Sequence, residues 1–350
     1  MDTPNSKLNT QKSALPQGKK GKAAFFCDSP AQIAHVYARG RRERLETLAQ
    51  VYGEVITGEN YREHLPHLAD CAYIFSTWGM PVLPEDALAQ LPALRAVFYA
   101  AGSVQAFAEP YLRRKIAVVS AWAANGRPVA AFTLAQILLA CKGYFRNTIA
   151  CRRPAARRSA PPVGPGIFEA RVALVGAGQI GRQVIELLRP FSIETQVVDP
   201  YLTPRAASEL GVRLVSLEEA FCTATVVSNH TPNLPATHGM FYGELFRRLP
   251  AGATFINTGR GAQVMETELI AVAAERPDLT FLLDVTDPEP PLAASPLYTL
   301  PNIQLSSHIA GSLGTEVVCM ADCVLDEFEN LLLGRPLRYA VSLEMLATMA

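Results

Sequence analysis

The sequence lacks the features that mark several classes of protein. Its 32 basic and 32 acidic residues cancel to a formal net charge of zero, so no general positive charge favours nucleic acid as a partner. The seven cysteines include no Cys-x-x-Cys pair, and the closest two, Cys319 and Cys323, are four residues apart in an apolar segment. We therefore expect reduced thiols and no metal site.

Long apolar runs are also missing. No eighteen consecutive residues are apolar, and residues 1–20 are polar, without the apolar core of a signal peptide. These absences predict a cytoplasmic protein with no membrane partner and a disordered tail over residues 1–21. The longest apolar stretch, from Pro128 to Phe145, is interrupted by Gln136 and Lys142. We expect a helix there that buries an interdomain or subunit contact, which favours a homodimer.

A chain of 350 residues is too long for one ordinary core and suggests two domains. Apolar strands are predicted at KAAFFCDS, CAYIFS, LRAVFYAAG and IAVVSAWAANG, with helical patterns such as AHVYARGRRERLETLAQVYG between them. This alternation predicts a first α/β unit with parallel strands and helical crossovers. A segment rich in arginine and proline, CRRPAARRSAPPVGPG, follows and is interpreted as a solvated connector.

The alternation restarts after the connector. Six strands are predicted at RVALVGAG, ETQVVDP, TVVSNH, TFINTG, TFLLDV and IQLSSH, separated by helical or loop segments. A helix is expected to begin at the capping-box pair Ser216 and Glu219, and a long amphipathic helix is expected to end at Gly334. Six strands with helical crossovers predict a doubly wound α/β sheet.

A glycine motif connects the first strand of this sheet to a helix. Gly176, Gly178 and Gly181 form GxGxxG, and the next strand ends at Asp199. Such glycines allow a tight turn and bring a pyrophosphate close to the backbone, while the carboxylate accepts from the ribose hydroxyls of an adenosine. A glycine-rich turn without a ligand is the alternative. Asp199 would repel a 2′-phosphate, so NAD is expected rather than NADP, although Arg205 lies nearby in sequence.

Three chemically distinct side chains follow strands of the same predicted sheet. Arg260 stands between Gly259 and Gly261, Glu289 follows in the segment DVTDPEP, and His308 follows IQLSS. Each has an ordinary interpretation as a surface or turn residue. Together they fit reduction of a 2-oxo acid: Arg260 would anchor the substrate, His308 would act as general acid and base, and Glu289 would tune His308.

These motifs together resemble the D-isomer-specific 2-hydroxyacid dehydrogenases. The resemblance runs from about Leu91 to Gly334 and includes VALVGAGQIG, VVDPY, NTGRGAQV, LDVTDPEP and LPNIQLSSHIAG in the family's order. It implies an NAD-dependent oxidoreductase with two Rossmann-like α/β domains. The flavodoxin-like substrate domain would comprise residues 22–122 and 311–350, and the Rossmann dinucleotide-binding domain residues 123–310.

The resemblance also implies roles for individual residues. Arg260, Glu289 and His308 would be the catalytic residues, and the backbone around Gly102, Ser103 and Val104 would hold the substrate carboxylate. Asp284 and the Thr258 carbonyl would face the nicotinamide amide. The implied cofactor-binding residues are Gly176, Gly178, Gln179, Ile180, Gly181, Asp199, Pro200, His230, Thr231, Pro232, Thr258, Gly259, Asp284 and Gly311.

The sequence departs from the family at two places. Ala131 stands where members often carry glutamate, and STWGMP, from Ser76 to Pro81, resembles a subset of bacterial members. Trp78 and Met80 would either form the substrate wall or pack as ordinary loop residues. Two other functions fit the fold: a binding protein that senses NAD and NADH without turnover, and a formate- or phosphite-type dehydrogenase.

Overall fold

The computed structural model describes residues 20–152, 164 and 166–346. The predicted N-terminal tail, apart from Lys20 and Gly21, and most of the connector lie outside the described residues. The described chain forms two sheets, both dominated by parallel strands. The predicted doubly wound α/β class is therefore confirmed.

The first sheet contains six strands in the order β13-β5-β4-β3-β1-β2. Only the β13–β5 pair is antiparallel. Without β13 the order 2-1-3-4-5 is flavodoxin-like. The strands are β1 (Lys22–Phe26), β2 (Gln50–Ile56), β3 (Cys71–Ser76), β4 (Ala96–Tyr99), β5 (Ala117–Ser120) and β13 (Ala340–Val341).

Helices from both ends of the chain cover this sheet. The ring centroid of Phe328 lies 5.2 Å from those of both Phe75 and Phe98, so the C-terminal part of the chain returns to pack on the first sheet. The helices are α1 (Pro30–Val36), α2 (Arg41–Leu48), α3 (Tyr61–His64), α4 (Glu85–Leu88), α5 (Ala108–Arg113), α13 (Val318–Leu332) and α14 (Leu343–Leu346), whereas α6 (Trp122–Cys141) and α7 (Tyr144–Ala150) pack mainly against the core of the second sheet.

The second sheet has seven parallel strands in the order β8-β7-β6-β9-β10-β11-β12. This is the Rossmann order with one further strand, and the strand order reverses between β6 and β9. The strands are β6 (Ala170–Val175), β7 (Ile193–Val198), β8 (Arg213–Leu214), β9 (Val226–Asn229), β10 (Thr254–Asn257), β11 (Thr280–Leu283) and β12 (Ile303–Leu305).

Helices lie on both faces of the second sheet, which explains why every residue of β9, β10 and β11 is buried. The helices are α8 (Gln179–Leu188), α9 (Pro204–Leu210), α10 (Leu217–Thr223), α11 (Gly243–Arg248) and α12 (Glu266–Glu275), and short 3₁₀ turns occur at Leu65–His67, Pro235–Thr237, Gly261–Gln263, Pro296–Tyr298 and Gly314–Val317.

Several predicted boundaries were wrong. The segment AHVYARGRRERLETLAQVYG is not one helix: α1 and α2 are separated by Gly40, whose φ is +84°, and its last residues belong to β2. The strand predicted at IAVVSAWAANG ends at Ser120, and α6 begins at Trp122, which places Pro128 inside the helix instead of in its first turn. The six strands predicted for the second sheet are confirmed, but β8 was missed.

Helix α6 ends at Cys141, and Gly143, with φ +65°, leads into α7. In the described part of the chain no single helix has the length and apolar composition to cross a membrane. Helices α6 and α7 meet that test only as a pair, and they are bent by 59° relative to each other.

Candidate active site

The glycine motif forms the turn between β6 and α8, and each glycine has a distinct environment. Gly176 has a φ of +100°, and a Cβ there would lie 2.7 Å from the carbonyl oxygen of His230. A Cβ at Gly181 would collide with the carbonyl oxygen of Gly176, so the helix packs closely on the turn. Gly178 has no other atom within 4 Å of its Cβ position. An anion can therefore approach the backbone where α8 begins at Gln179, with Ile180 in its first turn.

Asp199 follows β7 and faces the same turn. Its Oδ2 accepts a hydrogen bond from the backbone N of Ala177 at 2.7 Å, and its Oδ1 accepts from the backbone N of Tyr201 at 2.8 Å. Arg205 is paired with Glu209 at 3.0 Å on the exposed face of α9. The carboxylate of Asp199 beside the glycine turn can accept from a ribose hydroxyl and would repel a 2′-phosphate. Arg205 is already paired with Glu209, so it does not offset that repulsion. The residues present thus fit NAD.

His230 follows β9 at the point where the strand order reverses. Burial lowers the pKa of His230 from 6.5 to about 4, so its imidazole is neutral near pH 7. Its Nε2 lies 3.0 Å from the hydroxyl of Ser228. Thr231 and Pro232 continue this loop and contact the side chain of Gln263 through oxygen atoms.

Arg260 lies in the loop after β10 and is partly buried. Burial lowers the pKa of Arg260, and the carboxylate of Glu289 opposes that effect. Its Nη1 donates to the carbonyl oxygen of Gly259 at 2.8 Å. The structure thus brings Arg260 and Glu289, which are 29 positions apart in sequence, into one electrostatic environment.

The glycines beside Arg260 have a different role from the one the sequence suggested. We expected them to let an anion approach, but a Cβ at Gly261 would overlap the backbone carbonyl of Thr286. A Cβ at Gly259 would lie 2.7 Å from the side-chain amides of Asn229 and Gln263. Both positions require glycine because protein atoms occupy the space.

Glu289 and His308 form the predicted pair. Nδ1 of His308 lies 2.7 Å from Oε1 of Glu289, and the two side chains are 45% and 41% exposed. His308 has a φ of +57°, a conformation that side chains other than glycine adopt rarely. Because a carboxylate only accepts hydrogen bonds, the pair places a proton on Nδ1.

Asp284 holds the turn that carries His308. Its Oδ1 accepts from the hydroxyl of Ser306 at 2.6 Å and from the backbone N of Ile309 at 2.9 Å, and its Oδ2 accepts from the backbone N of Ala310 at 2.9 Å. Its carbonyl oxygen accepts from the backbone N of His308 at 3.0 Å. The buried carboxylate of Asp284 thus already accepts three hydrogen bonds from the turn around His308. The sequence did not reveal this structural role.

The first sheet contributes the loop from Ala100 to Val104. The Thr77 hydroxyl donates to the carbonyl of Ala100 at 2.9 Å, and the Ser120 hydroxyl contacts the carbonyls of Ala101 and Gly102 at 3.0 and 2.5 Å. These side chains restrict the loop that contains Gly102 and Ser103. Trp78 is partly buried and packs against both cores of the first sheet, and Met80 is 8% exposed within one of them.

Asn125 joins this loop to the chain after His308. Its Oδ1 accepts from the backbone N of Ser312 at 3.1 Å, and its Nδ2 lies 3.5 Å from the Cβ position of Gly102. A Cβ at Gly311 would lie 3.4 Å from the same Oδ1. Sequence reasoning missed Asn125 because it interpreted the segment AWAANG as the end of a strand.

Positively charged side chains are scarce within the loops that follow the strands. Within residues 20–152 and 166–346, the loops that follow the parallel strands of both sheets contain one lysine or arginine, Arg260. The loops of the first sheet carry two carboxylates instead, on Asp28 and Glu59. Among the described residues no group of three His, Cys, Asp or Glu side chains is arranged to hold a metal ion. Of the described loops that follow the parallel strands, only the loop after β10 therefore offers a guanidinium to an anionic substrate.

Comparison with known proteins identifies the family. The family model described as "D-isomer specific 2-hydroxyacid dehydrogenase, NAD binding domain" matches residues 134–310, about half of the chain. The chain belongs to this family. Residues 134–310 therefore correspond to the family's NAD-binding domain. The resemblance to D-isomer-specific 2-hydroxyacid dehydrogenases that the sequence indicated is confirmed.

Curated relatives of this chain include the D-3-phosphoglycerate dehydrogenase of Mycobacterium bovis, which is 29% identical over 228 residues. That match covers 65% of this chain and 43% of the relative. The same enzyme of Bacillus subtilis is 28% identical over 181 residues, with 52% and 34% covered. The chain thus matches less than half the length of these relatives.

Solved structures share the fold of the whole described chain. A phosphoglycerate oxidoreductase from Rhizobium etli has a TM-score of 0.76 at 22% identity, covering 92% of this chain and 98% of that one. The apo form of D-mandelate dehydrogenase from Rhodotorula graminis has a TM-score of 0.75 at 18% identity, covering 92% and 97%. At these identities the likeness shows the fold alone.

Proposed function

We propose that this dehydrogenase interconverts a 2-oxo acid and the corresponding D-2-hydroxy acid. The observation that carries the proposal is the pairing of His308 with Glu289 at 2.7 Å on loops of the same sheet edge that carries Arg260. A proton donor, its carboxylate partner and an anion-binding cation at one edge are what carbonyl reduction of an acid requires. NAD, when bound, supplies or accepts the hydride.

The chain's own residues have separate roles in this proposal. Arg260 binds the substrate carboxylate and orients the carbonyl group. His308 gives a proton to the substrate oxygen from Nε2 during reduction and takes it back during oxidation, while Glu289 fixes the tautomer through Nδ1. The amides around Gly102, Ser103 and Val104 hold the other side of the carboxylate. These groups belong to residues 22–122 with 311–350 and to residues 123–310, which we propose as the substrate and NAD-binding domains.

The proposed cofactor site lies along the carboxyl edge of the second sheet. Gly176, Gly178 and Gly181 with Gln179 and Ile180 would receive the pyrophosphate, and Asp199 with Pro200 the adenosine ribose. His230, Thr231 and Pro232 would flank the adenosine. The backbones of Thr258, Gly259 and Gly311 and the side chain of Asp284 would lie toward the nicotinamide. Asp284 can take this role only through lone pairs that its three present hydrogen bonds leave open.

The substrate is proposed to be a monocarboxylate. Several relatives are named for 3-phosphoglycerate, which carries a second anionic group. Here Arg260 is the one cation in the described loops after the parallel strands, and the first sheet presents Asp28 and Glu59 at that edge. Repulsion from these carboxylates would disfavour a phosphate. Trp78, partly accessible above both cores, would border the substrate side chain, whereas buried Met80 belongs to the core.

The test is oxidation of NADH, followed by its absorbance, with glyoxylate, hydroxypyruvate, pyruvate, a branched-chain 2-oxo acid and an aromatic one. Arg260→Ala and His308→Ala should each lower kcat/KM by roughly a hundredfold to ten-thousandfold while NADH binding, measured by fluorescence, is retained. Arg248→Ala and His238→Ala change exposed residues and serve as matched controls. Unchanged rates in both site variants would contradict the proposal.

Two other functions make different predictions in this assay. An NAD-sensing binding protein would bind NADH but turn over none of the acids, and a formate- or phosphite-type dehydrogenase would oxidise those ions instead. The intact Glu289–His308 pair favours hydroxy-acid chemistry over both. The cytoplasmic location expected from the sequence stays a prediction, as does a homodimer formed through the outer face of α6, where Ala131, Ala135 and Leu139 are exposed.

A further inference from the structure

Three side-chain amides form a buried cluster behind the loops that follow β9 and β10. Asn229, Asn257 and Gln263 are all 0% exposed. Nδ2 of Asn229 donates to Oδ1 of Asn257 at 2.9 Å and to Oε1 of Gln263 at 2.6 Å. Buried amides with several partners are costly to leave unpaired, so their partners show what the cluster holds in place.

On one side the cluster fixes the backbone of Arg260. Oε1 of Gln263 accepts from the backbone N of Arg260 at 3.0 Å, and Nδ2 of Asn257 donates to the carbonyl oxygen of Arg260 at 3.1 Å. Oδ1 of Asn257 also accepts from the backbone N of Gly259 at 3.0 Å. Both backbone polar groups of Arg260 therefore bond to buried side chains, and its carbonyl oxygen also accepts from the backbone N of Gln263 at 3.4 Å.

On the other side the cluster fixes the loop after His230. Nε2 of Gln263 lies 2.9 Å from the carbonyl oxygen of Thr231, 2.7 Å from its hydroxyl and 2.8 Å from the carbonyl oxygen of Pro232. Oδ1 of Asn229 accepts from the backbone N and the hydroxyl of Thr231 at 3.0 and 2.7 Å. One side chain, Gln263, thus bonds to both loops.

We propose that Gln263 is a positioning residue that sets Arg260 relative to the loop of Thr231 and Pro232. The inference rests on the proposed function, in which Arg260 anchors the substrate and that loop flanks the cofactor. A displacement of about 1 Å in a group that orients the substrate lowers rates by up to roughly a hundredfold. The amide of Gln263 prevents such a displacement because its two ends bond to both loops at once.

The kinetic test compares three variants. Gln263→Met keeps the size of the side chain but removes all its hydrogen bonds, and Gln263→Glu keeps the acceptor for Arg260 and Asn229. Asn302→Met is the matched control, since Asn302 is a buried amide directly before β12 that donates to the carbonyls of Ala273 and Arg276. It should reduce stability without changing KM.

Gln263→Met is expected to raise KM for the best 2-oxo acid by about tenfold to a hundredfold, with a smaller change in kcat. Gln263→Glu keeps the acceptor for the Arg260 amide but lacks the donor to the carbonyl oxygens of Thr231 and Pro232, so its KM should also rise, though less than that of Gln263→Met. In an Arg260→Lys background, Gln263→Met should change kcat/KM less than about twofold, because a residue that acts through Arg260 has little left to position. A KM within twofold of wild type for Gln263→Met, or full additivity with Arg260→Lys, would overturn the proposal.

Hydrogen exchange provides a readout that does not depend on turnover. Overlapping peptides across residues 257–264 report the Arg260 amide, which should exchange at least about tenfold faster in Gln263→Met and unchanged in Asn302→Met. If Gln263→Met fails to fold, Gln263→Glu provides the test, because it keeps the acceptor for the Arg260 amide. That amide should then exchange as slowly as in the wild type, and loss of this protection would refute the positioning role of Gln263. A wild-type protein inactive toward every 2-oxo acid would refute the proposed function alone, since exchange still decides the role of Gln263.

Discussion

His230 should make the stability of the folded protein depend on pH. Its pKa is lowered by burial from 6.5 to about 4, so the folded protein binds this proton less readily than the unfolded chain. The contribution of His230 to the free energy of unfolding is therefore fully present above pH 6.5 and falls as pH drops from 6.5 to about 4, below which this contribution changes no further. The sign is opposite to that of a histidine stabilised by a carboxylate.

The magnitude follows from the size of the shift. Each pKa unit corresponds to about 1.4 kcal/mol, so the whole window is worth about 3 kcal/mol, and the change between about pH 7.5 and pH 5 is about 2 kcal/mol. Gln in place of His230 can still hydrogen-bond the Ser228 hydroxyl, which lies 3.0 Å from Nε2, but it has no proton to bind in this range.

The assay is urea unfolding followed by circular dichroism at the two pH values. The wild type should lose about 2 kcal/mol more than His230→Gln between pH 7.5 and pH 5, because all other titrating groups are shared and cancel in the comparison. His238→Gln changes an exposed histidine of the same loop and should behave like the wild type. An equal pH dependence in wild type and His230→Gln would refute the assignment of an imidazole that is neutral in the folded protein.

Three further predictions concern the site and its surroundings. Asp284→Asn replaces an acceptor of the Ala310 amide with a donor, so urea or thermal unfolding should show that the free energy of unfolding falls by about 1–3 kcal/mol. Because the turn that carries His308 loosens, kcat should fall more than the affinity for NADH. Equal losses in kcat and in NADH affinity would contradict this prediction. Steady-state kinetics should show at least about a hundredfold preference for a monocarboxylate over a 2-oxo acid bearing a phosphate; comparable rates would contradict the single-cation site. Leu139→Glu, on the outer face of α6, should convert a dimer to monomers in light scattering, whereas Glu at exposed Val82 should not; a monomeric wild type would contradict the proposed homodimer.

The strands that the sequence marks most clearly share one physical property. Parallel strands covered on both faces, such as β9, β10 and β11, are short continuous apolar runs that stand out in the sequence. The three missed strands lack this property. β2 is mostly exposed or half-buried along QVYGEVI, and β8 (Arg213–Leu214) and β13 (Ala340–Val341) have two residues each. All three lie at sheet edges, where pairing with the neighbouring strand forms the strand although no local pattern encodes it.

The candidate site was predictable to different depths. Arg260, Glu289 and His308 each follow a strand of one parallel sheet, so topology alone predicts that their loops meet at its carboxyl edge. The residues that hold those loops, Asn125 and Gln263, carry no local signal. A polar side chain in a loop is ordinary in sequence, and its burial depends on contacts that only the tertiary structure creates.

The arginine between two glycines shows how such contacts bring the site together. Gly261 lets the Arg260 loop touch the backbone of Thr286, three residues before Glu289, because a side chain there would overlap that backbone. Close backbone contact between neighbouring strand ends places the guanidinium and the Glu289 carboxylate in one environment, and Glu289 in turn bonds His308. Gly259 does the same toward Asn229 and Gln263. The glycines are thus required for loop-to-loop packing, and a methyl group at position 261 would separate the anchor from the acid–base pair without altering any proposed catalytic side chain.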